Sequence, residues 1–171
     1  KRTKTLYVGL CFIIIFVMHI SSTLSKKILA WYDNSKRELP WRVGKKSPKK
    51  VYYRLLSEFM LQQTQVKTVM PYFNRFIKKF KTLKDLSKSN EKEILKMWEG
   101  LGYYKRAKNL LVCSKLLVKN YKSKLPKSLD EIKKLPGVGD YTANALFGLV
   151  YNEPRIALDG NVKRVFSRNL N

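Results

Sequence analysis

Leu135-Pro136-Gly137-Val138-Gly139-Asp140-Tyr141-Thr142-Ala143 is the stretch around which the rest of this chain can be organised. Pro136 stiffens the entry to a turn, and Gly137 and Gly139 permit backbone with φ > 0 and close approach to a neighbouring strand of chain. From Thr142 onward the spacing predicts a helix, with Ala143, Leu146, Phe147 and Val150 on one face. A glycine turn that opens onto a helix N-terminus offers free N–H groups and the positive end of a dipole, which suits a phosphate. Alone, such a turn is equally a plain connection between two helices. The sharper feature is Asp159, set in Leu158-Asp159-Gly160-Asn161-Val162 eighteen residues after Tyr141.

Outward from this turn the pattern is helical. Residues 24–33 read as a short amphipathic helix whose buried side is Ile28, Leu29, Trp31 and Tyr32, broken at Leu39-Pro40 because Pro40 disfavours a helical Leu39. A basic loop over 43–50 follows. Residues 52–65 predict a strong helix (Leu55, Leu56, Phe59, Met60), and 66–80 a second that tolerates Pro71 in a first turn. Short helices are expected at 83–87 and 91–98, the latter capped by Ser89 or Asn90. After the turn Glu99-Gly100-Leu101-Gly102 comes a long helix with Ala107, Leu110, Leu111, Ser114, Leu117 and Val118 on one face, and residues 128–135 lead back to the glycine turn. No segment alternates with period two, and no internal repeat is evident, so the class is all-α.

The chain has 36 Lys+Arg against 12 Asp+Glu in 171 residues, a formal net charge of +24. A polyanionic partner fits this balance, nucleic acid being the commonest; an AT-rich genome produces a similar lysine excess. With two cysteines, Cys11 and Cys113, the chain builds neither a disulfide framework nor a metal–cysteine cluster, and one histidine, His19 in an apolar run, excludes a His-rich metal site. Lys1-Arg2-Thr3-Lys4-Thr5 precedes an apolar run over 6–20, the shape of a signal peptide or short anchor. That run is shorter than the roughly 20 residues of a membrane span. Met18 as the authentic start, with the preceding residues read-through, is the other reading.

Three further segments could carry chemistry. Ser57-Glu58-Phe59-Met60-Leu61 places one acid on an otherwise uncharged helix, where desolvation would raise its pKa toward general-acid use. An exposed helical Glu is the plainer alternative. Gln62-Gln63-Thr64-Gln65 supplies amides, which both donate and accept and so suit base edges, or else simply ends a helix. Gly100-Leu101-Gly102-Tyr103-Tyr104 puts apolar and aromatic side chains on a glycine turn, as a wedge filling the gap left by a flipped nucleotide would need, or as a core-packed helix start. Lys105, Arg106 and Lys108 beside it favour a DNA-facing surface.

Five segments occur in order: Leu39-Pro40-Trp41-Arg42; Ser57-Glu58 through Val66; Trp98-Glu99-Gly100-Leu101-Gly102-Tyr103-Tyr104; Leu135-Pro136-Gly137-Val138-Gly139; and Leu158-Asp159-Gly160-Asn161-Val162-Lys163-Arg164-Val165. Together, over about residues 26–171, they resemble the MutY-type adenine DNA glycosylases of the helix-hairpin-helix superfamily, which remove adenine mispaired with 8-oxoguanine or guanine from double-stranded DNA. The resemblance implies a six-helix barrel domain over 46–152 that carries the hairpin. A second helical domain, incomplete here, would be formed by 26–45 and 153–171, with 1–25 as an N-terminal extension and the site in the cleft between domains. It implies that Glu58 protonates the adenine ring and that Asp159 stabilises or captures the sugar cation. Tyr141 and Asn161 would line and support that site. Gln63, Thr64, Leu101 and Tyr103 would probe the 8-oxoguanine pair and wedge the duplex. Trp41 and Arg42 would edge the adenine pocket, and Gly137, Val138 and Gly139 would hold a phosphate. Asp159, beside Gly160, Asn161 and a helix N-terminus, is expected to be held ionised by amide donors and dipole.

The family's 4Fe-4S cluster is implied for a longer parent protein only, since its four-cysteine motif and the 8-oxoguanine recognition domain would lie beyond Asn171; no metal ligand is expected in this chain. The loop over 43–51 departs from the pattern in length, and Val51 stands where proline is usual. A monomer acting on DNA in a bacterial cytoplasm is expected, with membrane association, resting on the apolar run over 6–20 alone, as a lesser reading. Two alternatives remain at this point: an endonuclease III-like glycosylase/lyase of oxidised pyrimidines, which would place a lysine nucleophile where Tyr141 stands, and a non-catalytic helix-hairpin-helix DNA-binding fragment.

Overall fold

The computed structural model describes residues 23–44, 46–155 and 157–170, so the apolar run over 6–20 lies outside the described residues. Among those described there are helices and turns and no strand, as the periodicity predicts. The chain divides into two units between Leu39 and Pro40.

In the first unit, residues 23–35 form α1. The side expected to be buried is not: Ile28 is 50% exposed, Leu29 62% and Trp31 65%. Among the described residues of this unit no second helix covers an apolar face of these thirteen residues.

The second unit contains α2 (Lys50–Leu61), α3 (Val66–Lys79), α4 (Leu83–Lys88), α5 (Glu91–Trp98), α6 (Lys105–Tyr121), α7 (Leu129–Lys133), α8 (Asp140–Tyr151) and α9 (Gly160–Leu170). Helix α2 is its axis, touching α3, α6 and α8, while α6 also carries α4 and α5 and α7 leans on α8. The sequence of α2 explains the central position. Tyr52, Tyr53, Leu55, Leu56, Phe59 and Met60 are all buried, so apolar side chains leave it in almost every direction. Only one stripe, Val51, Arg54, Glu58 and Leu61, is less than fully covered, and its spacing of three, four and three marks a single helix face. Trp98, Phe76 and Phe73 are completely buried, and Trp98 meets Phe76 edge-on with ring centroids 5.8 Å apart.

Local chemistry sets the ends. Thr82 and Asp85 form a reciprocal capping box at the start of α4. Asn90 caps α5 by accepting from the Glu93 N–H at 2.9 Å. Pro71 sits in the second turn of α3 rather than the first, where it forgoes one ladder bond on an exposed surface. Lys50, expected in a solvated loop, is buried as the first residue of α2, and its Nζ donates to the Val150 carbonyl at the end of α8. The helix expected over 52–65 stops at Leu61. Gln62 leaves the helical region and Gln63 turns left-handed with φ 57°.

Candidate active site

A cleft of about 750 Å³ opens at the C-terminal end of α2. Glu58 and Leu61 reach it from the less-covered stripe of α2, Gln62 and Gln63 from the turn that follows, and Tyr103 and Tyr104 from the glycine turn. Lys105, Arg106 and Asn109 enter from the first turns of α6, Tyr141 from α8, and Asp159 from the start of α9. Two carboxyl groups 101 positions apart in sequence thus share one cavity within the larger unit.

Their surroundings differ. Burial among the apolar side chains of α2 lifts the Glu58 carboxyl from its ordinary 4.5 to about 7, against a smaller opposing pull from the Arg54 charge. Asp159 is the residue immediately before α9. Its Oδ1 accepts from the Val162 N–H at 2.7 Å, a helix-capping bond, and its Oδ2 from Asn161 Nδ2 at 3.4 Å. Asn161 in turn accepts from Arg164 Nη2 through its own Oδ1 at 2.7 Å. Asn161 therefore orients Asp159 from behind rather than lining the cavity. Tyr141 is partly exposed, and burial followed by the nearby Glu58 and Asp159 charges raises its phenol, which puts the hydroxyl in the field of both carboxyls.

The hairpin below the cleft is built as the sequence predicts at one glycine and otherwise at the other. Gly137 has φ 76°, and a Cβ there would lie 2.6 Å from Asn109 Nδ2 and 3.0 Å from Phe59 Cε1, so the turn packs directly on α2 and α6. Gly139 is extended with φ −88° and needs no left-handed freedom. A Cβ there would meet nothing within 4 Å, so the open space above the N-terminus of α8 is what its missing side chain provides. Val138 between them is buried. Gln62 ties the cleft to the hairpin, its Nε2 donating to the Gly137 carbonyl at 3.1 Å and lying 3.4 Å from Thr142 Oγ1.

Gln63 is exposed and Thr64 half-buried beside it. In the glycine turn the two expected wedge residues separate: Leu101 is 6% exposed and belongs to the core, whereas Tyr103 is 62% exposed and projects. Trp41 is buried against Phe73, with ring centroids 5.1 Å apart, and neither it nor Arg42 lines this cleft. Of the cations expected to face DNA, Lys105 lines the cleft, Lys108 is paired with Glu91 at 2.6 Å, and Arg106 is turned inward and buried. Leu61 and Asn109 were not singled out by the sequence, and Gln62, Tyr104, Lys105 and Arg106 lay in segments expected to meet DNA without a named role in the site. For Arg106 a signal exists: it occupies one stripe of α6 with Leu110, Cys113 and Leu117, all of which are buried.

A four-thiolate iron–sulfur cluster does not fit these residues. The sequence has two cysteines, and Cys113 is a buried thiol facing the Pro136 carbonyl, pushed up by burial to about 12. Among the described residues no three His, Cys, Asp or Glu side chains group as metal ligands. Nor is any described helix long and apolar enough to cross a membrane.

A sequence model described as the HhH-GPD superfamily base excision DNA repair protein matches residues 56–170. The chain is 46% identical over 142 residues to an adenine DNA glycosylase of Buchnera aphidicola subsp. Baizongia pistaciae, covering 82% of this chain and 39% of that protein. It is 38% identical over 146 residues to the adenine DNA glycosylase of Homo sapiens, covering 82% of this chain and 27% of the other. It thus spans about two-fifths or less of the length of these curated relatives. Among solved structures, a thermostable thymine-DNA glycosylase superposes with a TM-score of 0.75 at 27% identity, over 85% of this chain and 65% of that one. An endonuclease III bound non-covalently to DNA gives 0.69 at 24% identity over 86% and 66%, a likeness of fold. The matched span runs from the helix of Glu58 through the hairpin to the helix capped by Asp159, and with it the chain belongs to the HhH-GPD superfamily of base excision DNA repair proteins.

Proposed function

We propose that this chain carries the catalytic carboxyls of an adenine DNA glycosylase, which hydrolyses the N-glycosidic bond of adenine mispaired with 8-oxoguanine or guanine in double-stranded DNA. The observation that carries the reading is the pairing, in one cleft, of a carboxyl with a pKa of about 7 and a second one bonded to a helix N-terminus. Similarity to adenine DNA glycosylases from bacteria and mammals supports the choice of base.

On this reading adenine is turned out of the duplex into the cleft. Glu58, still protonated near neutral pH, gives its proton to the adenine ring, so that the electrons of the breaking C1′–N bond go to a protonated base that departs as neutral adenine. The positive charge left at C1′ faces the Asp159 carboxylate, which stabilises it or captures it as an ester; water then adds at C1′, giving up a proton and, from the ester, freeing the carboxylate. Asn161 holds Asp159 in place, and the Tyr141 hydroxyl lies in the field of both acids. The N–H groups at the start of α8 hold a phosphate in the open space above Gly139. Gln63 and Thr64 meet the opposite base, and Tyr103 fills the stack. A protein so engaged works on DNA, in the bacterial cytoplasm. Ligands for the iron–sulfur cluster that the resemblance implies would have to come from residues outside this sequence, and no step above uses it.

A glycosylase/lyase reading rests on one specific feature: Tyr141 is no nucleophilic amine, but Lys105 lines the same cleft. Glu58→Gln and Asp159→Asn, made in this chain or in any longer protein that contains it, are expected to retain mispair binding while adenine excision falls about 10²–10⁴-fold. Borohydride should trap little covalent complex. Efficient trapping that disappears in Lys105→Ala would replace the hydrolase by the lyase, and undiminished excision in either carboxyl variant would remove the roles assigned.

A further inference from the structure

The Arg106 guanidinium is the most heavily engaged group in the cleft, and general-acid chemistry has no use for it. Its Nη1 donates to the carbonyls of Phe59 at 3.3 Å and Met60 at 2.8 Å, and also to that of Gln62. Its Nη2 donates to the carbonyls of Leu101 at 3.2 Å and Gly102 at 3.1 Å. The side chain is 6% exposed, with the Trp98 ring 5.4 Å and the Tyr103 ring 5.3 Å from its central carbon. Trp98 Nε1 donates to the same Gly102 carbonyl at 3.0 Å.

Two turns converge on this one group. Each contains a non-glycine residue in the left-handed region, Gln63 at φ 57° and Tyr103 at φ 50°. In each, the residue just before the left-handed one presents its carbonyl to Arg106: Gln62 in one turn, Gly102 in the other. Left-handed conformations with a Cβ are sparsely populated and persist only where surrounding bonds hold them. The carbonyls of Phe59 and Met60 belong to the last turn of α2, where helix partners run out. Arg106 thus ends α2, fixes Gln63 just beyond that end, and fixes Tyr103 on the facing turn. A lysine could not reproduce this, since an ammonium is a point donor whereas the acceptors lie along both arms of a planar fork.

We propose that Arg106 is a positioning residue that locks the Gln62–Thr64 and Leu101–Tyr103 turns into one rigid presentation of Gln63 and Tyr103, so that reading the opposite base and wedging the stack occur together. This deepens the reading above and rests on it, because it takes both side chains to meet DNA. Arg106 touches no reacting atom in it.

The test is a set of cycles on the chain. Affinity for an adenine:8-oxoguanine duplex is measured for Gln63→Ala and Tyr103→Ala, each with Arg106 intact and with Arg106→Lys, alongside thermal unfolding. With Arg106 intact each alanine variant should weaken mispair preference; after Arg106→Lys the preference should already be down about tenfold, and adding either alanine should cost little more. Effects that simply add would overturn the proposal, as would a lysine variant with full mispair preference. Should Arg106→Lys fail to fold, amide hydrogen exchange of the free native chain decides: the two turns should open together with matching rates, and rates differing by more than about tenfold would break the lock. That measurement involves no DNA. If the native chain shows no preference for the mispair and neither it nor a longer protein that contains it releases adenine, the adenine reading fails while the exchange result still judges the lock.

Discussion

Glu58 and Asp159 are the same functional group in two opposite settings. Glu58 projects from the one incompletely covered stripe of a helix otherwise buried in the core, and burial is the dominant influence on it. Asp159 stands just before the first turn of α9, and backbone and amide donors are what act on it. The fold thereby gives one carboxyl a reason to keep its proton and the other a role in which it accepts hydrogen bonds. Neither role comes from the residue type; each comes from where its helix stands.

The largest expected consequence is that removing the Glu58 charge stabilises the chain above neutral pH, whereas truncating Asp159 destabilises it. Folded Glu58 holds its proton to about pH 7, whereas an unfolded glutamate releases it near 4.5. Between those values the folded state binds more protons, so stability falls as pH rises through that window. Above it, the buried charge costs about 3 kcal/mol at roughly 1.4 kcal/mol per pH unit. Glu58→Gln should therefore stabilise the chain by an amount approaching that at pH 8 and by almost nothing at pH 4, measured by denaturant unfolding at both. Equal effects at both pH values would mean that burial does not control this carboxyl.

The glycines of the hairpin sharpen the contrast between a structural and a ligand-facing position. Gly137→Val must place a β-branched side chain at φ 76° against Phe59 and Asn109, and a loss of about 2–3 kcal/mol is expected in unfolding experiments. Gly139→Val should leave stability within about 0.5 kcal/mol. Its effect should be to weaken binding of all duplexes alike, because a phosphate contact carries no sequence information. Loss of affinity for one mispair alone would contradict the phosphate assignment. A smaller loss than at Gly137, about 1 kcal/mol, is expected of Asp159→Ala through loss of the α9 cap, where Asp159→Asn retains it. Equal stability of these two variants would show that the 2.7 Å bond to the Val162 N–H contributes nothing.

Local backbone chemistry was what the sequence displayed best. Pro136 and Gly137 encode their turn directly, and the apolar stripes of α2, α6 and α8 follow from spacing alone. Asn90 was one of the two caps expected for α5, and it is the one used. Glu58 could be nominated because it is the only acid on its helix; pairing it with Asp159 needed the resemblance, since nothing local links residues 101 apart. What the sequence hid was decided by distant partners. Gln62 to Gln65 continues a helical pattern by composition, yet the helix stops because Arg106, 44 residues later, takes the carbonyls at its end. Leu101 and Tyr103 are indistinguishable as wedge candidates until packing buries one and leaves the other exposed. Arg106 itself was read as one more cation on a basic surface; its spacing with Leu110, Cys113 and Leu117 marks an inward face, and the five carbonyls it meets give the reason.

The central claim is that a protonated Glu58 drives departure of adenine, and single-turnover excision from an adenine:8-oxoguanine duplex across pH tests it most directly. The rate should decline as pH rises through about 7, by about tenfold per unit once Glu58 has lost its proton, and Glu58→Gln should abolish both the rate and its pH dependence. Adenine release that stays constant to pH 9, or that survives in Glu58→Gln, would contradict it.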